Sequence, residues 1–137
     1  MATFISNSPL ETQGIGRQFA QNLSAGSVFA LTGELGSGKT QFVKGLVTGL
    51  GSDSAVTSPT FTIIHEYPGG RLPIYHFDFF RLEDRQSVAR LGLDDYFSGD
   101  GVSVIEWADR FPDLIPANAR WISFELKSEN ERLIKAA

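Results

Sequence analysis

The residues with the clearest chemical meaning are Gly33-Glu34-Leu35-Gly36-Ser37-Gly38-Lys39-Thr40. They fit G-x-x-x-x-G-K-[ST], the phosphate-binding P-loop. Glycines let the backbone close tightly enough to aim several N–H groups at one phosphate. A helix starting at the loop adds the positive end of its dipole. In this reading Glu34, Leu35, Gly36, Ser37 and Gly38 surround the phosphates, Lys39 reaches the β- and γ-phosphates, and the Thr40 hydroxyl ligates Mg²⁺. The alternative is a glycine-rich turn carrying a surface lysine.

Hydrolysis or transfer needs more than a grip on phosphate. It needs a carboxylate for the Mg²⁺ shell and a group that positions the nucleophile. Asp78 and Glu106 have the right placement. Glu106 follows the apolar run 102–105, which reads as a buried parallel strand delivering a carboxylate to its C-terminal edge; otherwise it is a solvated charge. Asp78 lies within Tyr75-His76-Phe77-Asp78-Phe79-Phe80. A carboxylate there is costly to bury without a partner, unless it is an edge-strand aspartate paired with Arg81. His76 shares a face with Asp78 and reads as a structural hydrogen-bonder rather than a catalyst. His65 reads as an ordinary strand residue. Thr60 is either a switch residue sensing the γ-phosphate or a threonine that starts a strand. Trp107 lies beside the nucleotide if Glu106 binds Mg²⁺, or else belongs to the core.

These residues need a scaffold. Val28-Phe29-Ala30-Leu31-Thr32 is an apolar strand leading into the loop. Phe42, Val43, Leu46, Val47 and Leu50 recur at helical spacing after it, and Gly51 stops that helix. Upstream, Ser8 is an N-cap, Pro9 takes the first helical position and Glu11 completes a capping box. Ile15, Phe19 and Leu23 form the buried face of that helix. Downstream, residues 60–80 read as a β-hairpin turning at 68–71. A short helix is predicted over 83–91, stopped by Gly92. Strands follow at 102–105, 121–126 and 133–134. The sum is an α/β, P-loop NTPase-like three-layer domain with a mixed, largely parallel sheet, in which residues 1–137 form one nucleotide-binding domain.

A chain of 137 residues suffices for one such core, and eleven phenylalanines predict an aromatic one. No stretch is long and apolar enough to span a membrane, and the N-terminus lacks signal-peptide features. With no cysteine there are no disulfides or thiolate metal sites. These points favour the cytoplasm. The net charge of −4 comes without the basic patch that gripping a nucleic-acid backbone requires. Nucleotide binding does not conflict with it, because loop amides and Mg²⁺ supply local positive charge. The absence of an Asn-Lys-x-Asp string speaks against a GTPase, and the absence of Leu-Ser-Gly-Gly speaks against an ABC-type ATPase.

The P-loop, Ser58-Pro59-Thr60-Phe61, Tyr75-His76-Phe77-Asp78-Phe79-Phe80-Arg81-Leu82 and Ile105-Glu106-Trp107-Ala108-Asp109-Arg110 occur in this order. Together they resemble the TsaE (YjeE) family of small bacterial ATPases over nearly the whole chain. The resemblance implies a role in making threonylcarbamoyladenosine at position 37 of certain tRNAs. It implies ATP hydrolysis with Mg²⁺, ADP as product, TsaB and TsaD as partner proteins, and tRNA acted on through the complex. It also implies that Lys39 holds the phosphates, Thr40 the Mg²⁺, and Glu106 the metal shell. Asp78 matches an essential aspartate that positions water or metal, Thr60 a switch-like loop, and Trp107 a tryptophan near the nucleotide. Weak turnover alone is expected, since no arginine finger is evident in the motifs. Asn130-Glu131-Arg132 departs from the family's usual glycine before its arginine, so no motif assigns Arg132. Adenine contacts near Thr12 are likewise not fixed by a motif. A small-molecule P-loop kinase and a nucleotide-gated binding module remain as rival readings.

Overall fold

The chain runs β1 (Ala2–Ser6), α1 (Pro9–Ala20), β2 (Val28–Thr32), α2 (Lys39–Gly49), β3 (Ile64–Tyr67), β4 (Ile74–Asp78), α3 (Leu93–Phe97), β5 (Val102–Glu106), β6 (Arg120–Leu126) and β7 (Arg132–Ala136). Two 3₁₀ turns, Ala108–Arg110 and Pro112–Leu114, follow β5. This is a computed structural model, and it describes residues 2–34, 36–56, 64–80, 86 and 91–137. Leu35, the Thr60 segment, Arg81 and most of the helix predicted over 83–91 lie outside the described residues.

The seven strands form one sheet in the order β1-β7-β6-β2-β5-β4-β3. Its centre is parallel: β6, β2, β5 and β4 run the same way. Both edges are antiparallel, through β3 on one side and β7 and β1 on the other. The largely parallel sheet expected from the sequence is therefore a parallel core with antiparallel margins. Strands β2 and β5 are buried along almost their whole length, which is why they read as unbroken apolar runs. Their shared direction brings the C-terminal ends of β2, β5 and β4 to one edge of the sheet. There Asp78 pairs in register with Glu106, and Leu31, two residues before the P-loop, pairs with Glu106 from the other side.

Two apolar clusters separate the layers. One packs α1 and α2 on the sheet through Phe19, Phe29, Phe42 and Phe124, whose rings meet edge to face at 5.5–6.0 Å. The other lies beneath α3 and the 3₁₀ turns, with Phe77 against Tyr96 and Phe97 and Phe79 against Phe111. This division matches the alternation of β4: Ile74 belongs to the first cluster and Phe77 and Phe79 to the second.

The start of α1 is fixed locally. Ser8 Oγ accepts the Glu11 N–H at 3.1 Å. The Glu11 carboxylate in turn accepts the N–H of Asn7, one residue before the expected partner, at 3.1 Å. Helices α1 and α2 touch backbone to backbone: a Cβ on Gly45 would stand 2.0 Å from the Gln13 carbonyl oxygen. Helix α3 was not predicted from the sequence. Gly92 closes the expected helix in that reading; in the structure it is the left-handed residue (φ 68°) from which α3 begins. Leu93, Tyr96 and Phe97 are then spaced to pack against the sheet.

Candidate nucleotide site

Strand β2 is held from both sides by parallel neighbours, so the chain leaving it has a fixed starting point. The loop then turns through positive φ at Gly33, Gly36 and Gly38. A Cβ on Gly33 would meet the Phe124 carbonyl oxygen at 2.6 Å and Ser37 Oγ at 2.7 Å, so no other residue fits there. Helix α2 begins at Lys39, and its N-cap, Gly38, offers no side chain to the first-turn N–H groups. Those donors point out of an uncapped positive helix end, the arrangement that suits an anion.

A cavity of about 490 Å³ opens above this helix end. Gly36, Gly38, Lys39, Thr40 and Gln41 form one side, and Asp78, Phe80, Glu106 and Trp107 form the second. The third comes from Ser8, Pro9 and Thr12 around the start of α1, from Glu129 and Asn130 in the β6–β7 turn, and from Arg132 at the start of β7.

Lys39 is only 4% exposed. Its Nζ donates to the Gly33 carbonyl oxygen and sits 3.6 Å from the centre of the Trp107 ring. Burial lowers its pKa from the ordinary value, against the pull of the Glu106, Asp78 and Asp109 carboxylates. Trp107 has φ 60° and ψ 37° and is the one non-glycine residue with positive φ among those described. A left-handed bulky residue costs about 1–2 kcal/mol. Here that conformation follows Glu106 directly and lays the ring over the lysine. Phe80, 54% exposed, packs on Trp107 with ring centres 4.9 Å apart.

Asp78 is half-buried and accepts the Phe80 N–H at 2.8 Å. Burial raises its pKa and Glu106 adds to the effect, while the Phe80 N–H, His76 and Lys39 oppose it. Glu106 is buried, and its Oε2 lies 2.5 Å from Nε2 of the fully buried His76. His76 Nδ1 is 3.2 Å from the Tyr67 hydroxyl. The histidine is thus the hydrogen-bonder the sequence pattern suggested.

Thr40, Asp78 and Glu106 bring one hydroxyl and two carboxylates to the same cavity. Among the described residues, no three His, Cys, Asp or Glu side chains gather into a protein-only metal cage. Hard oxygen donors in this number fit Mg²⁺, which takes one or two carboxylates and fills its shell from phosphates and water.

Of the residues picked from the sequence, Gly36, Gly38, Lys39, Thr40, Asp78, Glu106 and Trp107 line this one cavity. Glu34 is exposed and outside the lining, its carbonyl oxygen accepting the Ser37 N–H at 3.1 Å. Ser37 is fully buried, and its Oγ has no hydrogen-bond partner among the described residues. Leu35 and Thr60 lie outside the described residues. Sequence reasoning missed Ser8, Pro9, Gln41, Phe80, Glu129 and Asn130, and left Arg132 unassigned. One Arg132 nitrogen donates to the carbonyl oxygens of Ser128, Glu129 and Glu131 at 3.1–3.3 Å. It therefore shapes the turn that closes the cavity. The sequence hints to this wall were Thr12, at the start of the first helix, and Arg132, neither fixed by a motif; both line the cavity.

Strand, glycine loop and helix, with carboxylates at the ends of neighbouring parallel strands, define an α/β protein of the P-loop NTPase-like class. The family model described as "Threonylcarbamoyl adenosine biosynthesis protein TsaE" matches residues 6–134. A "tRNA threonylcarbamoyladenosine biosynthesis protein TsaE" from Bacillus subtilis is 44% identical over 126 residues, 92% of this chain and 78% of that protein. The protein of the same description from Treponema pallidum is 39% identical over 97% of this chain and 98% of its own length. The crystal structure of Bacillus subtilis YdiB matches with a TM-score of 0.81 and 38% identity, over 97% of this chain and 82% of that one. The chain belongs to the TsaE family.

Proposed function

We propose that this chain, as one nucleotide-binding domain, is the Mg²⁺-dependent ATP-hydrolysing subunit of the machinery that makes threonylcarbamoyladenosine in tRNA. Its partners in this reading are the TsaB and TsaD proteins. The observation that carries the enzymatic part is the cavity itself: Lys39 and Thr40, at an uncapped helix end, face Asp78 and Glu106 at the ends of adjacent strands. The names of its relatives support the pathway.

The loop amides and the start of α2 bind the polyphosphate. Lys39 exchanges the Gly33 carbonyl for a phosphate oxygen, so a buried ammonium gains a full charge partner. Thr40 and Glu106 would hold the Mg²⁺, which would offset negative charge on the phosphates. Asp78 accepts a hydrogen bond from the attacking water and aligns it. Trp107 and Phe80 keep bulk water from the lysine side. Arg132, the cavity's described arginine, is tied to the carbonyls of its own turn. Turnover alone is therefore slow, and partners raise it by ordering or completing the site.

With a net charge of −4, tRNA is reached through the partner proteins rather than gripped directly. No helix among the described residues is long and apolar enough to cross a membrane, and the proposal places the chain in the cytoplasm. Phosphate release from ATP, measured with and without Mg²⁺ and with and without TsaB and TsaD, tests the reading. The expected result is Mg²⁺-dependent release that the partners accelerate. Turnover that depends instead on an added small-molecule acceptor would mark a kinase.

A further inference from the structure

Beneath the cavity lies a buried polar chain that ends on Glu106. Tyr67 on β3, His76 on β4 and Glu106 on β5 stand on three successive strands. All three are 6% exposed or less. The Tyr67 hydroxyl is 3.2 Å from His76 Nδ1, and His76 Nε2 is 2.5 Å from Glu106 Oε2. Where Nε2 carries the proton that points at the Glu106 carboxylate, which accepts it, the other ring nitrogen, Nδ1, accepts from the tyrosine hydroxyl.

The geometry points to His76 as a positioning residue for metal binding, with Tyr67 fixing its tautomer. By holding Oε2, His76 pins the Glu106 carboxylate in one rotamer and leaves Oε1 for the cavity. This inference rests on the functional reading above, because it gives Glu106 a divalent cation to meet. Three features favour it over a purely structural hydrogen bond. The chain ends on the very carboxylate that lines the cavity. Glu106 is the last residue of its strand, where backbone pairing alone does not fix a side chain. The residue after it is the left-handed Trp107, so the main chain turns sharply away just past the carboxylate. A partner that orients a metal-binding group is commonly worth about 10- to 100-fold in metal affinity.

The test measures the Mg²⁺ concentration that half-saturates binding of ADP, by calorimetry, with a parallel titration in EDTA. His76→Phe keeps a buried ring and removes both nitrogens. It is expected to raise the Mg²⁺ midpoint about 10-fold or more while leaving metal-free ADP binding unchanged. His76→Gln, whose amide reaches the place of Nε2, restores most of the loss. Tyr67→Phe shifts the midpoint in the same direction by less. In a Glu106→Gln background the His76→Phe shift disappears. A folded His76→Phe protein with the parental midpoint, or a shift that persists without the Glu106 carboxylate, overturns the inference. Should His76→Phe fail to fold, Tyr67→Phe decides: a folded Tyr67→Phe protein with the parental Mg²⁺ midpoint overturns it. If the parent protein binds ADP without any dependence on Mg²⁺, the functional reading itself falls, a result that no variant is needed to recognise.

Discussion

Replacing Lys39 by methionine separates the needs of folding from the needs of the site. The side chain is nearly buried, and its Nζ meets a carbonyl oxygen and an aromatic face but, among the described residues, no carboxylate at hydrogen-bonding distance. Methionine of the same length gives up the charge-assisted bond to Gly33, about 2 kcal/mol, and the contact with Trp107, about 1 kcal/mol. It also removes the desolvation penalty of a buried ammonium, several kcal/mol. The lowered pKa of Lys39 agrees with a large desolvation cost, since burial outweighs the pull of Glu106, Asp78 and Asp109. The expected balance is a gain of about 1 kcal/mol, or about 4 °C in Tm for a chain of this size. A second signature follows from linkage. The folded lysine holds its proton less tightly than the unfolded one, so parental stability rises with pH between the lowered value and 10.5. The Lys39→Met advantage therefore narrows as pH climbs towards that limit. Circular-dichroism melts at neutral and alkaline pH read both effects, and calorimetry reads the loss of nucleotide binding. A variant less stable than its parent by about 1 kcal/mol or more, or an advantage that ignores pH, would refute the reasoning.

Asp78→Asn is expected to cut phosphate release about 100-fold or more while ADP still binds. The raised carboxyl of Asp78 costs stability once ionised, so the parent gains stability as pH falls through the raised value, and the variant lacks that gain in acid melts. Gly45→Ala drives a Cβ to within 2.0 Å of the Gln13 carbonyl oxygen. It should cost about 3 kcal/mol in a denaturant melt and weaken ADP binding by displacing the start of α1. In a Trp121→Phe protein the remaining tryptophan, Trp107, should change its emission when ADP is added, because Lys39 Nζ sits 3.6 Å from its ring. Unchanged emission at a nucleotide concentration that saturates by calorimetry counts against that contact.

Much of the site was legible because its parts are local. A glycine loop between an apolar run and a helical pattern declares strand, turn and helix within a short span. The run 102–105 announces a buried strand, and Glu106 at its end then stands at the sheet edge beside the P-loop strand. Alternation along β4 separated Phe77 and Phe79 from His76 and Asp78 correctly, because a strand allows only two faces. The third wall of the cavity was legible only in part, through Thr12 at the start of α1. Ser8, Thr12, Asn130 and Arg132 meet there only because β7 inserts between β1 and β6, a pairing that depends on long-range contacts. The hydrogen bond between His76 and Glu106 was hidden for the same reason: thirty residues separate partners that parallel register makes neighbours. Helix α3 was missed because Gly92 reads equally well as a stop and as a left-handed entry.

In the proposed site the uncapped start of α2, with Lys39 above it, receives the phosphates of a nucleotide across from Asp78 and Glu106. Calorimetric titration of the folded protein with a non-hydrolysable ATP analogue and Mg²⁺ tests it most directly. The expected result is one binding site whose heat is lost in Lys39→Met and reduced when EDTA replaces the metal. Parental binding in Lys39→Met, or no heat from the parent with any nucleoside triphosphate, would contradict it.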